Sequence, residues 1–333
     1  MPRCPTGRNR MDMRSIPDDP ALPALEALRS DRFGAAFPDL GLDEGSFELR
    51  LCGYTPGNRA TIEAHGGDRH FAVKAYAKDP SAEALLYRAL ANAGLAGSSG
   101  VRVPRLLGWN RDLRLIVISW LAGRPVEQLI AEGEGRRAGT LAAAFLRKAA
   151  SLSVTLGPRF DPGELLFDVG KWVGRLVATE PILGQAADNV VRRLLGAQPR
   201  DRHSRLVHGT LYARHILDLG DGPGVIDWQR FCQGPLELDA GTFLATVWRL
   251  GLRDDRLTNE VARAEEAFRS ETRTLLNEQS LAWYQATTLL RHASKLFRPT
   301  EAERLLSREE RAFALAEARG LVEEAGRLAG AIT

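Results

Sequence analysis

Cysteine is scarce in this chain of 333 residues: Cys4, Cys52 and Cys232 are scattered, with no CxxC pair. That excludes a disulfide scaffold and a cysteine zinc site, and predicts a reduced, cytoplasmic protein. Net charge is equally thin. Forty-five Lys and Arg against 42 Asp and Glu leave +3, which excludes the clustered basic face of a dedicated nucleic-acid binder. No apolar run approaches the 18 or so residues of a membrane span. Residues 1–20 carry Arg, Pro and Asp but no apolar signal-peptide core, so they read as a disordered leader, with Met11 or Met13 as alternative starts. Lysine is rare too. Only Lys74, Lys78, Lys148, Lys171 and Lys295 are found among the 45 basic residues, so a lysine inside an apolar strand stands out.

What is present is ordinary globular composition, 44% apolar and 26% charged, in a chain long enough for two packed lobes. After a short helix at Pro23–Leu28, strand signals begin. Phe47–Leu51, Ala60–Ala64 and His70–Tyr76 alternate or run apolar, joined by the turns Tyr54–Arg59 and Gly66–Arg69. Ser81–Ala93 has helical spacing, with Ser81 as the expected N-cap. Val103–Gly108 and Leu113–Trp120 add two strands. Leu121–Pro125 then breaks the pattern, and helical periodicity takes over in Val126–Ala131, Arg137–Thr155, Leu165–Leu183, Ala186–Leu195, Leu238–Leu250, Asn259–Leu276, Leu281–Phe297 and Ser307–Leu328. The expectation is an α+β chain: a β-rich N-terminal lobe over residues 21–121 and a helical lobe over residues 122–333.

One stretch interrupts the helices. Leu206–Trp228 (LVHGTLYARHILDLGDGPGVIDW) reads as a polar loop, His208–His215, followed by strands Ile216–Leu219 and Gly224–Asp227 about a Gly-Asp-Gly-Pro turn. An acid ending the second strand would be rigid enough to hold a metal beside whatever the loop binds. Asp239, at the start of the next helix, is expected to cap that helix or tie down the loop, and His208 to bond backbone. Lys74, inside FAVKAY, faces a helix that carries Glu83, an arrangement that fixes a phosphate-gripping ammonium. The Tyr54–Asn58 turn, with Gly57, offers backbone N–H groups to phosphates.

These segments together resemble the aminoglycoside phosphotransferase and choline-kinase-like branch of the protein-kinase fold. The resemblance rests on VHGTLYARHIL, the hairpin, VIDW and then GPLELDAG, where the family typically reads HGDLHPxN, IDW and GDPxxDLA. It implies a two-lobed kinase-like fold, ATP and Mg²⁺ as cofactors, and a small-molecule hydroxyl acceptor. It further implies that Lys74 and Glu83 are the strand lysine and helix glutamate. Val117–Leu121, with Ile118 and Trp120, would be the adenine-holding hinge. Asp227 would be the metal aspartate and Asp239 the structural one.

The departures fall on the loop. Thr210 stands at the position of the family's catalytic aspartate, His215 at that of the metal-binding asparagine, and Tyr212 at that of a second histidine. Thr210, His208 and Arg214 are the catalytic-loop candidates, and Asp227 and His215 the metal candidates. A threonine hydroxyl is a poor base near neutral pH, so a catalytically impaired pseudokinase stands beside the phosphotransferase reading.

Overall fold

The computed structural model describes residues 16–30, 34, 36, 37, 40, 47–200, 204–297 and 307–332. The chain divides into two compact units. The first runs to Ala122 without Ser98–Arg102; the second takes Ser98–Arg102 and everything from Gly123 on. Of the expected leader, residues 1–15 lie outside the described residues. Residues 16–20 are not a loose tail: Ile16 is buried, and Asp19 accepts hydrogen bonds from Ala21 and Gly57.

The first unit is built on an antiparallel sheet of β1 (Glu48–Thr55), β2 (Arg59–Gly66), β3 (Arg69–Tyr76), β4 (Leu106–Asn110) and β5 (Leu115–Ser119), in the order β1-β2-β3-β5-β4. Period-two alternation sets its faces. Ala60, Ile62 and Ala64 of β2 join Val73 and Val117 in a core closed by Leu22, Leu25 and Leu28, the last two from helix α1 (Pro23–Leu28). Lys74, next to Val73, therefore points to the opposite face. Helix α2 (Ser81–Leu90) continues as a π-turn, Ala91–Leu95, that contains the left-handed Gly94.

Two expectations shift here. Ser81 is not the cap: Asp79 accepts its backbone N–H at 2.9 Å, and Ser81 lies inside the helix. The strand expected at Val103–Gly108 starts at Leu106, beyond Pro104, whose nitrogen has no proton to give a ladder.

Eight α-helices dominate the described part of the second unit: α3 (Val126–Ala131), α4 (Gly135–Ala150), α5 (Pro162–Thr179), α6 (Pro181–Gly196), α7 (Leu236–Arg253), α8 (Thr258–Thr272), α9 (Glu278–Lys295) and α10 (Arg308–Gly330). The single helix expected over Leu165–Leu183 is two, because Pro181 cannot continue the first and is well placed to start the second. Two small sheets hold the loop. β6 (Arg124–Pro125) pairs with β8 (Ile216–Asp218), which pairs with β9 (Pro223–Val225). β7 (Arg205–Val207) pairs with β10 (Cys232–Gly234). Asp218 anchors this hairpin to α4 through a bidentate contact with Arg137.

Candidate active site

In the first unit, Lys74 and Glu83 meet. Nζ donates to Glu83 Oε1 at 2.6 Å with both side chains buried, and Tyr76 donates its hydroxyl to Oε2, also at 2.6 Å. A carboxylate that receives a hydrogen bond on each oxygen holds its ammonium partner in one place. Tyr76 was missed in the sequence, although it lies two residues from Lys74 and so on the same face of β3.

The other first-unit candidates are placed differently from their expected roles. Gly57 is left-handed, and its N–H goes to the Asp19 carboxylate at 2.7 Å, which also accepts from the Tyr54 hydroxyl at 3.0 Å. Gly57 N–H, the strongest of these bonds, pulls the Asp19 carboxyl below its usual range. Ile118 sits on β5 between β3 and β4, its backbone taken up by the sheet. Trp120 donates its N–H to His70 O at 3.2 Å and stacks its ring on His70 at 4.6 Å. Neither residue keeps a spare backbone N–H for a purine. What Trp120 presents is a flat aromatic surface.

In the second unit the loop is pinned from below. Asp239, fully buried in the first turn of α7, accepts from His208 N–H at 2.6 Å and Gly209 N–H at 2.8 Å. It ties down the loop and does not cap the helix, whose N-cap position is Pro235. Burial pushes its carboxyl up to about 7, against the pull of those N–H groups. Gly209 is left-handed, and a Cβ there would collide with the carbonyl oxygen of Arg230, so only glycine fits. His208 is buried and donates Nε2–H to Ile226 O at 2.8 Å, packed against the rings of Trp228 and His215.

Thr210 is buried, and its carbonyl accepts two bonds: Tyr212 N–H at 2.7 Å and His215 Nδ1–H at 2.9 Å. Its hydroxyl makes no hydrogen bond among the described residues, so no carboxylate or imidazole is bonded to it to take its proton. Arg214 lies with its guanidinium 4.4 Å from the centre of the Tyr212 ring.

His215 and Asp227 do converge. Nε2 of His215 is 3.6 Å from Oδ2 of Asp227. Burial first, then repulsion from His208, pull the imidazole down to about 3, with Asp227 opposing and Arg214 assisting. The ring is therefore neutral near pH 7. A carbonyl only accepts, so we assign the single proton to Nδ1, leaving the Nε2 lone pair beside the Asp227 carboxylate. Asp227 itself departs from expectation. The strand stops at Val225, and Asp227 takes a left-handed backbone at φ +68°, a conformation that aspartate tolerates better than most residues. An oxygen and a nitrogen lone pair at this separation fit a divalent cation that completes its shell with phosphate oxygens. The described residues contain no group of three metal-ligating side chains that would bind one unaided.

With this geometry in view, the Phosphotransferase enzyme family matches residues 56–276, more than half of the chain. The chain belongs to the phosphotransferase enzyme family. Solved structures place the phosphotransferase in the protein-kinase-like fold. A choline/ethanolamine kinase family protein from Mesorhizobium loti superposes with a TM-score of 0.60 at 19% identity, covering 90% of this chain and 96% of its own. The choline kinase LicA from Streptococcus pneumoniae gives 0.58 at 12%, covering 88% and 99%. A thermostable aminoglycoside phosphotransferase mutant, in ternary complex with ADP and hygromycin B, gives 0.60 at 16%, covering 87% and 98%. No curated protein matches. No helix among the described residues is long and apolar enough to cross a membrane.

Proposed function

We propose that this phosphotransferase moves the γ-phosphoryl group of ATP, with Mg²⁺, to a hydroxyl of a small molecule. The carrying observation is the buried Lys74–Glu83 pair, braced by Tyr76 at 2.6 Å. Its purpose is positioning: a lysine held this firmly grips the α- and β-phosphates as a fixed charge. Asp227 Oδ2 and His215 Nε2 would hold the cation, which when bound neutralises charge on the phosphates. The acceptor oxygen forms its bond to the γ-phosphorus as the bond to the bridging oxygen breaks and ADP leaves. The hydroxyl proton passes to a phosphate oxygen or solvent, since Thr210 is not a base at this pH.

A pseudokinase is the second reading, and the unbonded, unactivated Thr210 hydroxyl favours it. A missing general base removes a factor of about 10² to 10⁴, and positioning and charge stabilisation carry the rest of the transfer. The deciding experiment pairs a thermal shift with turnover. Saturating Mg-ATP is expected to raise the melting temperature of the wild type, and ADP release is expected with a hydroxyl acceptor, faster in the Thr210→Asp, His215→Asn double variant. A wild type that binds Mg-ATP but stays inert with an acceptor the double variant phosphorylates is the pseudokinase. No stabilisation by Mg-ATP defeats both readings.

A further inference from the structure

The two loop positions that depart from the family pattern are joined by a hydrogen bond. His215 gives Nδ1–H to the carbonyl of Thr210 at 2.9 Å and leaves Nε2 3.6 Å from Asp227 Oδ2. A backbone carbonyl on the far ring nitrogen is how metal-binding imidazoles are commonly oriented and held in one tautomer. The ring is also boxed in. It is buried, with its centre 5.1 Å from that of Tyr212 and 5.4 Å from that of His208.

Bonds on both sides set the gap between Nε2 and Oδ2. Asp239 takes the N–H groups of His208 and Gly209, which fixes the turn that carries the Thr210 carbonyl. Ile226, next to Asp227, is tied to the loop at both backbone groups. Its N–H goes to His215 O at 3.0 Å, and its carbonyl accepts His208 Nε2–H at 2.8 Å. Asp227 itself keeps a left-handed backbone, a cost that folds bear where the direction of a side chain matters. A nitrogen lone pair and a carboxylate oxygen repel each other unless positive charge stands between them. A proton or a metal ion would supply it.

We propose that His215 is the residue that sets which cation this site prefers: a first-row transition ion, Mn²⁺ or Co²⁺, over Mg²⁺, with Nε2 as a direct ligand beside Asp227 Oδ2. Mg²⁺ favours oxygen and sheds its water reluctantly, so a nitrogen ligand adds little for it. Transition ions take nitrogen and oxygen together, and Co²⁺ gains more from nitrogen than Mn²⁺ does. No third metal-ligating side chain joins the pair among the described residues, so the remaining positions fall to oxygens and the site is not a closed zinc cage. This rests on the phosphotransferase reading only for the phosphate oxygens that complete the shell. The preference is a difference in affinity, and saturating Mg²⁺ still fills the site. Thr210 becomes a positioning residue, whose carbonyl aims the ring.

The test titrates the full chain with Mn²⁺, Co²⁺ and Mg²⁺, each with and without ADP, by calorimetry. Pulsed electron paramagnetic resonance of bound Mn²⁺ then reads any coupling to a ligand nitrogen. The expected order of affinity is Co²⁺, Mn²⁺, Mg²⁺, with a Co²⁺-to-Mg²⁺ ratio about tenfold above that of His215→Asn. Asparagine offers Mg²⁺ an amide oxygen, so Mg²⁺ affinity is expected to hold or rise in that variant, which a merely damaged fold would not allow. In the wild type, which depends on no variant folding, a nitrogen coupling is expected that changes when the protein's histidines carry the heavy nitrogen isotope. Bound Mn²⁺ without histidine coupling, or equal ratios in the two proteins, overturns the proposal and leaves the phosphotransferase reading intact. So does a His215 ring that nuclear magnetic resonance shows protonated on both nitrogens at neutral pH with Mg²⁺ and ADP bound: a proton then stands where the metal was placed. Histidine-coupled Mn²⁺ that binds equally well with and without ADP keeps the inference and removes the nucleotide reading. No binding of any of the three ions under either condition ends both.

Discussion

The two units treat their buried polar groups in opposite ways. In the first, Lys74, Glu83 and Tyr76 close on one another, and each oxygen of the carboxylate has its donor. In the second, the groups near the loop stay open. His215 keeps a lone pair 3.6 Å from Asp227, and among the described residues neither the Thr210 hydroxyl nor the buried Nε2–H of His292 has a partner. A closed network fixes a charge in space, whereas an open one keeps bonding capacity for something that arrives. The first arrangement belongs to a part that must be in place beforehand. The second belongs to a part whose bonds are completed by ligands.

The contrast can be broken at its strong end first. Glu83→Ala leaves Lys74 buried without its carboxylate, and is expected to cost about 3–5 kcal/mol in urea unfolding. Replacing both partners, Lys74→Met with Glu83→Leu, is expected to restore most of that stability while nucleotide affinity stays lost. A loss of less than about 1 kcal/mol in Glu83→Ala, well below the cost of breaking a buried ion pair, would mean that Glu83 does not hold the ammonium.

The open side is sharpened with acid. His292 is neutral in the folded protein at pH values where the unfolded chain's imidazole, with a pKa near 6.5, takes a proton. A depressed histidine therefore adds stability above pH 6.5 and loses it as the pH falls below that value, by at most about 1.4 kcal/mol per pH unit. Wild type is expected to lose about 1 kcal/mol more than His292→Gln between pH 7 and pH 5.5, measured by urea unfolding at each pH, in line with that slope. Equal losses in the two proteins would show that His292 does not resist protonation.

The smallest effect on stability is expected at Asp227. Asparagine tolerates a left-handed backbone as aspartate does, so Asp227→Asn is expected to stay within about 0.5 kcal/mol of wild type. The same variant is expected to weaken Mn²⁺ binding at least tenfold in the presence of ADP, read by calorimetry. Unchanged Mn²⁺ affinity would remove Asp227 from the cation site.

The parts that could be read from the sequence are those whose residues lie close together along it. Lys74 and Glu83 are nine positions apart across one turn, and a single polar residue in an apolar strand marks the first. The loop from His208 to His215 and its Asp239 anchor fall within one strand–loop–helix passage. Asp227 was legible as a residue and not as a conformation. Gly-Val-Ile-Asp reads as a short apolar strand ending in an acid, but after Val225 the chain turns: Ile226 N–H goes to His215 O, and Trp228 Nε1–H reaches back to Val225 O. The backbone roles expected of Gly57 and Trp120 met competitors from distant segments, Asp19 and His70. The surroundings of His292 were illegible because Tyr212 and Arg249 reach it from other elements. Tyr212 and Lys295 stand 83 positions apart, and the only local hint is Arg291, His292 and Lys295 on one helical end.

The excursion Ser98–Arg102 carries a consequence for how this polypeptide is made. Arg102 donates its N–H to Pro223 O at 2.9 Å and accepts from Val225 N–H at 2.8 Å. Its guanidinium meets Asp221, 119 positions later. On the ribosome, the sheet of the first unit is fully emerged long before those partners exist, so Arg102 waits with an unpaired backbone until the hairpin is translated. A fragment cut after Ala122 would keep that gap for good. Expressed alone, the first unit is best shortened across this excursion rather than trimmed at its end.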